Sequence, residues 1–302
     1  MTVLIGGGTG LVGSRLAHLL HDAGHVPRIL TREPDRAGSS RFAHYGWDLA
    51  RDYVDPEALA GATHVVNLAG AGIADARWTG ARKQVIVGSR VASTALLARA
   101  IRGAGGGVEA FVSASAIGYY GDRGESWVDE RSGPGAGFLS ASTVAWERAL
   151  REGADVAGVR AAWLRTGIAL SPAEGALAKM LAPARLGLSG YFGHGRQWYS
   201  WIHLDDLCGV YLAALADARY EGPVNAVAPV PVRGRELARA LARVVPNPAL
   251  AVPVPALALR LALGEMSRTV LDSTRVSSLR LVDELGFDFA YPTVAGALAH
   301  LL

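Results

Sequence analysis

The chain has 302 residues, half of them hydrophobic and 19% charged, with a formal net charge of +3; this is a globular balance with room for one large or two modest cores. It excludes a disordered chain, and every apolar stretch is broken by Gly, Pro, Arg or Asp short of the roughly 18 residues a bilayer span requires, so no membrane partner is expected. The arginines are dispersed without aromatic-basic clusters, which excludes nucleic acid as a partner, and Cys208 stands alone, which excludes an internal disulfide and a multi-cysteine metal site.

The chain enters its first apolar run, residues 3–5, without a charged leader and signal core, so a reducing cytoplasm is the expected compartment. Directly behind that run stands Gly-Gly-Gly-Thr-Gly-Leu-Val-Gly, residues 6–13. Gly7, Gly10 and Gly13 are spaced GxxGxxG. Gly7 suits the tight turn leaving a strand, Gly10 lets backbone approach phosphate oxygens, and Gly13 lets the next helix pack close. Leu11, Leu16, Leu19 and Leu20 give residues 11–23 a helical apolar face, and Gly24 closes it. The opening amides of such a helix have no partners within it and carry the positive end of the macrodipole, so they suit a pyrophosphate.

Further buried strands are read at residues 26–30, 64–68, 110–112 and 161–164, with helices at 82–102 and 142–152. Strand and helix in alternation predict an α/β fold with a doubly wound parallel sheet. Ligands in such sheets lie beyond the strands' carboxyl ends. After the second strand comes Thr31-Arg32-Glu33, where a basic residue accommodates a 2′-phosphate, so Arg32 favours NADP over NAD, although Glu33 blurs the rule. Asp48 and Leu49 follow the third strand, where a side chain and an amide meet the adenine edge. The fourth strand ends in Asn67-Leu68-Ala69-Gly70; Ala69 and Gly70 permit a ribose to lie on backbone, while Asn67 also suits a turn cap. Ser113-Ala114-Ser115 ends the fifth strand, and Gly118-Tyr119-Tyr120-Gly121-Asp122 follows. The tyrosines serve either catalysis or aromatic packing under a lid.

Beyond residue 170 the texture becomes Gly- and Pro-punctuated, with prolines from Pro223 to Pro255, Pro248 among them, and helical patterns at 204–216, 234–245 and 294–302. Residues 1–170 are expected to form the dinucleotide-binding domain. Residues 171–302 are expected to form a smaller mixed substrate lobe, from which some elements return to the main sheet. Within it, Gly193 to His203 offers Arg196 for a phosphate or carboxylate and Trp198 or Tyr199 for stacking, or else is an edge strand with a charged tip. His203 with Asp205 and Asp206 reads as an ion-paired helix start. Lys179 and Met180 lie on a helix bordering the cleft. The eight histidines show no zinc spacing, so no metal is expected.

The glycine loop, Asn67 to Gly70, the Ser113-Ala114-Ser115 strand end with its tyrosines, and Leu164-Arg165-Thr166-Gly167 together resemble an extended short-chain dehydrogenase/reductase. More narrowly, the chain resembles the atypical YfcH-type subfamily of the NAD-dependent epimerase/dehydratase group. Arg77-Trp78, Gly88-Ser89-Arg90, Trp146-Glu147, Leu186-Gly187-Leu188, Gly193, Gly195 and Trp201-Ile202-His203 carry that likeness over nearly the whole chain. It implies a Rossmann domain binding NADP(H) through Thr9, Gly10, Leu11, Val12, Arg32, Ala69, Ser89 and Thr166, with Gly7, Gly13, Asp48, Leu49, Asn67, Gly70, Ser113 and Arg165 around them. It also implies a C-terminal lobe facing a small-molecule substrate, of which a nucleotide-sugar is one class, through Lys179, Arg196, Trp198, Trp201 and His203. A homodimer is compatible with the reading, and oligomeric state is left open.

Standard members use a Tyr-x-x-x-Lys pair, in which the lysine lowers the tyrosine pKa for proton exchange with a substrate hydroxyl. The chain has two lysines, Lys83 and Lys179; four residues before them stand Thr79 and Gly175, so no such pair exists. Counted back from Trp146-Glu147, the positions of the pair hold Leu139 and Thr143. Two expectations follow: an oxidoreductase or epimerase in which Ser115 polarises a carbonyl and Tyr119 or Tyr120 supplies the proton, or a catalytically weak or silent NADP(H) sensor.

Overall fold

In the computed structural model, which describes residues 1–34, 40–247 and 249–302, the first half of the chain alternates strand and helix. Its elements are β1 (Thr2–Gly6), α1 (Leu11–Asp22), β2 (Val26–Thr31), β3 (Ala43–Asp48), β4 (Tyr53–Val54), α2 (Pro56–Leu59), β5 (His64–Asn67), α3 (Gly80–Gly103), β6 (Ala110–Ala116), β7 (Trp127–Val128), α4 (Phe138–Ala157) and β8 (Arg160–Thr166). A 3₁₀ turn over Ile117–Tyr120 follows β6. The second half contains β9 (Ile168–Leu170), α5 (Gly175–Arg185), β10 (Leu188–Phe192), β11 (Trp198–Tyr199), β12 (Trp201–His203), α6 (Leu204–Ala216), β13 (Gly222–Ala226), β14 (Val232–Arg233) and α7 (Gly234–Val244). It closes with β15 (Leu250–Val254), α8 (Ala256–Leu263), α9 (Arg268–Leu271), β16 (Arg275–Val276) and α10 (Val294–Leu301). Pro248, counted among the breakers, lies outside the described residues.

The main sheet has eight strands in the order β13-β8-β6-β5-β1-β2-β3-β4. Every pairing in it is parallel except β3 with β4. The doubly wound α/β sheet is therefore present. Leu16, Ala17 and Leu20 of α1 join Leu207, Val210, Tyr211 and Ala214 of α6 in a core on one face. Leu96, Leu97 and Ile101 of α3 join Phe111 and Leu150 on the other. Two elements beyond residue 170 belong to this layer: β13 is the edge strand beside β8, and α6 packs on α1. A separate core of Leu177, Leu181, Trp201, Leu237, Leu241 and Leu298 holds α5, α7 and α10 together.

Helix α4 begins at Phe138, ahead of the predicted 142, because Gly137 at φ +99° turns the chain into it without a polar cap. Strand β6 runs on through Ser113 and Ser115, which pair with Trp163 and Arg165 of β8. Among the described residues no helix is long and apolar enough to cross a membrane, and no three His, Cys, Asp or Glu side chains gather as a metal site.

Candidate functional site at the carboxyl ends of the strands

The β1–α1 junction is shaped by contacts that only glycine permits. Gly7 adopts φ +78°, and a Cβ there would stand 2.9 Å from the Ala69 nitrogen and the Leu68 carbonyl carbon. A Cβ on Gly13 would fall 2.3 Å from the Gly7 oxygen and 2.7 Å from the Gly8 Cα. Gly10 differs: its Cβ would meet nothing nearer than the Gly7 oxygen at 3.5 Å. The Gly10 amide donates to the Gly7 carbonyl at 3.1 Å, which closes the turn. Helix α1 then starts from Gly10 with no side-chain cap and no acid in its first turn. The junction thus offers first-turn amides over open space, beside the exposed Thr9 and the half-buried Leu11 and Val12. These residues fit a diphosphate bridge.

At the neighbouring strand ends, Arg32 is exposed and its side chain has no partner among the described residues. Asp48 uses Oδ1 to accept from the Ala50 and Arg51 amides at 2.8 and 3.3 Å, which turns the chain and presents the exposed Leu49. Ala69 and Gly70 flank the glycine loop. Ser89 is half-buried and accepts from the Ala71 amide at 3.0 Å, so it holds the loop that follows. Thr166 donates to the Leu164 carbonyl at 3.1 Å.

Several expected contacts are corrected by burial. Asn67 is fully buried; its amide donates to Ser93 and Thr94 at 3.2 and 2.9 Å, and its Oδ1 accepts from the Ala69 amide at 3.1 Å. It shapes the turn, and its side chain has no exposed surface. Ser113 is equally enclosed and donates to the Ala114 carbonyl at 3.0 Å. Arg165 lies in a buried ion pair, donating to both Glu147 oxygens at 2.8 Å. Burial opposes its charge, but the Glu147 bonds and charge outweigh that and hold the guanidinium above its ordinary pKa. Tyr120 has no exposed surface; it donates to Asn225 Oδ1 at 2.7 Å and accepts from Arg165 at 3.0 Å. Burial pushes its phenol up to about 12, so it stays protonated with that proton committed to Asn225.

Ser115 and Tyr119 remain as candidates at the end of β6 and in the turn after it. Ser115 is 4% exposed and donates to Glu147 Oε1 at 2.6 Å. Tyr119 is half-buried, and the Arg165 guanidinium lies 3.6 Å from its ring centroid. Thr143 Oγ1 donates to the Leu139 carbonyl at 2.8 Å, and both residues flank Gly118 beneath the tyrosine turn.

The substrate side is altered more. Trp201 is fully buried and donates to the Val230 carbonyl at 2.9 Å, so it belongs to the C-terminal core. His203, 1% exposed, caps α6 by accepting from the Asp205 amide at 3.0 Å and packs on Tyr291. Burial drives its pKa down to about 4, against the pull of Asp205 and with the push of His300. The Trp198 ring already carries the Arg233 and Arg275 guanidinium groups, 3.9 and 4.1 Å from its centroid, so stacking on a substrate ring is pre-empted. Arg196 is exposed beside Arg233, Arg235 and Arg239 in an open depression of about 450 Å³. Lys179 lies exposed on α5, its Nζ 3.5 Å from the Ala74 carbonyl.

Sequence reasoning passed over Glu147 as a working residue. The signal was present: Ser140, Thr143, Glu147, Leu150 and Ala154 form the buried stripe of α4, and an acid on such a stripe demands a cationic partner.

The family described as NAD dependent epimerase/dehydratase matches residues 3–226, and a domain of unknown function, DUF1731, matches residues 254–301. Epimerase family protein Mb2239 of Mycobacterium bovis is 38% identical over 299 residues, covering 99% of this chain and 96% of that protein. The chloroplastic SDR39U1 homolog of Arabidopsis thaliana is 37% identical over 307 residues, covering 100% and 87%. The crystal structure of human epimerase family protein SDR39U1 with NADPH aligns at a TM-score of 0.85 and 30% identity, covering 100% of this chain and 99% of that one.

Proposed function

Because the chain belongs to the NAD dependent epimerase/dehydratase family, we propose that it binds NADP(H) across the β1–α1 junction and acts as an oxidoreductase or epimerase on a small carbonyl compound or nucleotide-sugar. The observation that carries this reading is the glycine cradle, in which the spaces at Gly7 and Gly13 are filled by backbone while that at Gly10 stays open. Arg32, exposed and without a side-chain partner among the described residues, is the residue proposed to receive the 2′-phosphate. Ala69, Gly70, Ser89 and Thr166 would line the remainder.

When bound, the nicotinamide ring supplies a hydride donor or acceptor. Proton exchange falls to Tyr119 by elimination. Ser113, Ser115, Ser140 and Thr143 have each committed their single hydroxyl proton, and Tyr120 has given its own to Asn225. The Tyr119 phenol has no hydrogen-bond partner among the described residues. The Arg165 guanidinium on its ring face holds the Tyr119 ring in place. Lys179 and Arg196 are kept as candidate substrate contacts.

Nicotinamide fluorescence titrated with NADPH and NADH tests the cofactor assignment, and tighter NADH binding defeats the role given to Arg32. Stopped-flow absorbance with a panel of carbonyl compounds and nucleotide-sugars tests turnover. The absent Tyr-x-x-x-Lys pair favours a second reading, a silent NADP(H) sensor; firm NADPH binding with no consumption by any compound would transfer the assignment to it.

A further inference from the structure

We propose that Glu147 sets the polarity of the substrate subsite: it claims the only hydroxyl proton of Ser115, so the group recognised there is a hydrogen-bond donor, a carbinol hydroxyl in place of a carbonyl oxygen. This rests on the reading that Ser115 faces the substrate. It reverses the expectation that Ser115 polarises a carbonyl.

The argument is a count of protons. A serine hydroxyl has one proton and two lone pairs, whereas an ionised carboxylate only accepts. Arg165 donates to each Glu147 oxygen at 2.8 Å, with side-chain exposures of only 4% and 9%, so both oxygens already serve as acceptors in a buried ion pair. The 2.6 Å contact from Ser115 is therefore a charge-assisted bond with the serine as donor. Turning that proton toward a ligand would strip a bond from a buried charge, which is costly where water cannot replace it. Arg165 is in turn fixed by the Tyr120 hydroxyl at 3.0 Å and by the Tyr119 ring. Ser115 consequently offers lone pairs alone. A carbonyl oxygen would set acceptor against acceptor, while a hydroxyl completes the chain from ligand to Ser115 to Glu147. Glu147 touches no ligand in this scheme and is a positioning residue.

Neutron diffraction on a deuterated crystal reads the first half directly. The expected result is a Ser115 deuteron directed at Glu147 and a bare carboxylate; a deuteron directed away from Glu147, or one carried by Glu147, overturns the proposal. For the second half, ligand-observed NMR on the NADP-saturated protein gives dissociation constants for cyclohexanol and cyclohexanone. The alcohol should bind roughly tenfold tighter, the cost of one misdirected buried hydrogen bond. Ser115→Ala should bring the ratio to one. The charge-free pair Glu147→Leu with Arg165→Met, which leaves no unpaired charge behind, should release the serine proton and narrow or invert the ratio. Equal binding, a preference for the ketone, or no binding of either to the loaded wild type overturns the inference. If NADP itself failed to bind, the cofactor reading would fall, and the hydrogen positions would still decide the polarity.

Discussion

Alanine at Gly10 and alanine at Gly13 add the same methyl group to one loop with different expected consequences. At Gly13 the new Cβ would stand 2.3 Å from the Gly7 oxygen and 2.7 Å from the Gly8 Cα, both backbone atoms that cannot rotate aside. Helix α1 must move off the loop. Overpacking of this kind costs about 1–3 kcal/mol or more, of which the helix propensity of alanine returns about 1 kcal/mol. Gly13→Ala should therefore lower the unfolding midpoint in urea. At Gly10 the nearest atom is 3.5 Å away, an ordinary contact, and φ is −81°, open to any residue. Its stability should stay within about 1 kcal/mol of wild type, the usual range for an N-cap change. The space it fills is the one assigned to phosphate oxygens. Loss of one charge-assisted bond from an amide to phosphate removes about 1.5–3 kcal/mol, which weakens NADPH roughly ten- to 150-fold. Urea melts and a fluorescence titration on both variants provide the measurement. A Gly10→Ala protein that binds NADPH within twofold of wild type would refute the cradle argument.

Three further outcomes are expected. Tyr120→Phe should cost about 1–3 kcal/mol in a urea melt, because it strands the buried Asn225 acceptor; Tyr119→Phe should leave the melt unchanged and remove proton-dependent turnover in the stopped-flow assay. Truncating Glu147 alone to Ala should cost about 3–5 kcal/mol, since it leaves the Arg165 cation buried without a counter-charge, whereas removing both charges should cost far less by the same melt. His203 has a folded pKa near 4, below its ordinary 6.5, so the unfolded chain binds the extra proton first and stability should fall as pH drops through that window. Urea midpoints at pH 7.5, 6 and 5 should show a slope that His203→Asn flattens.

Much of the Rossmann half was legible because its signals are local. Apolar runs at residues 3–5 and 64–68 and the glycine loop between strand and helix each declare themselves within a dozen residues. The interior of the site was less legible. Whether Arg165 meets a ligand or a carboxylate depends on α4, where Glu147 occupies a core position, and on β8 lying next to β6. The alternation that places Ser113 and Ser115 on one side of β6 became visible only once the strand was seen to continue past Val112. Trp201 and Trp198 invited a stacking role, yet one is sealed in the core of the C-terminal half and the other is already overlaid by arginines that arrive from β14 and β16. Pairings such as β7 with β16 join distant segments, and no local pattern announces them.

The most direct test of the central claim is a crystal structure of the protein grown with NADPH. The diphosphate is expected against the amides of Leu11 to Gly13 at the start of α1, with the 2′-phosphate within hydrogen-bond reach of the Arg32 guanidinium. Coenzyme bound elsewhere, or a junction left empty at saturating NADPH, would contradict it.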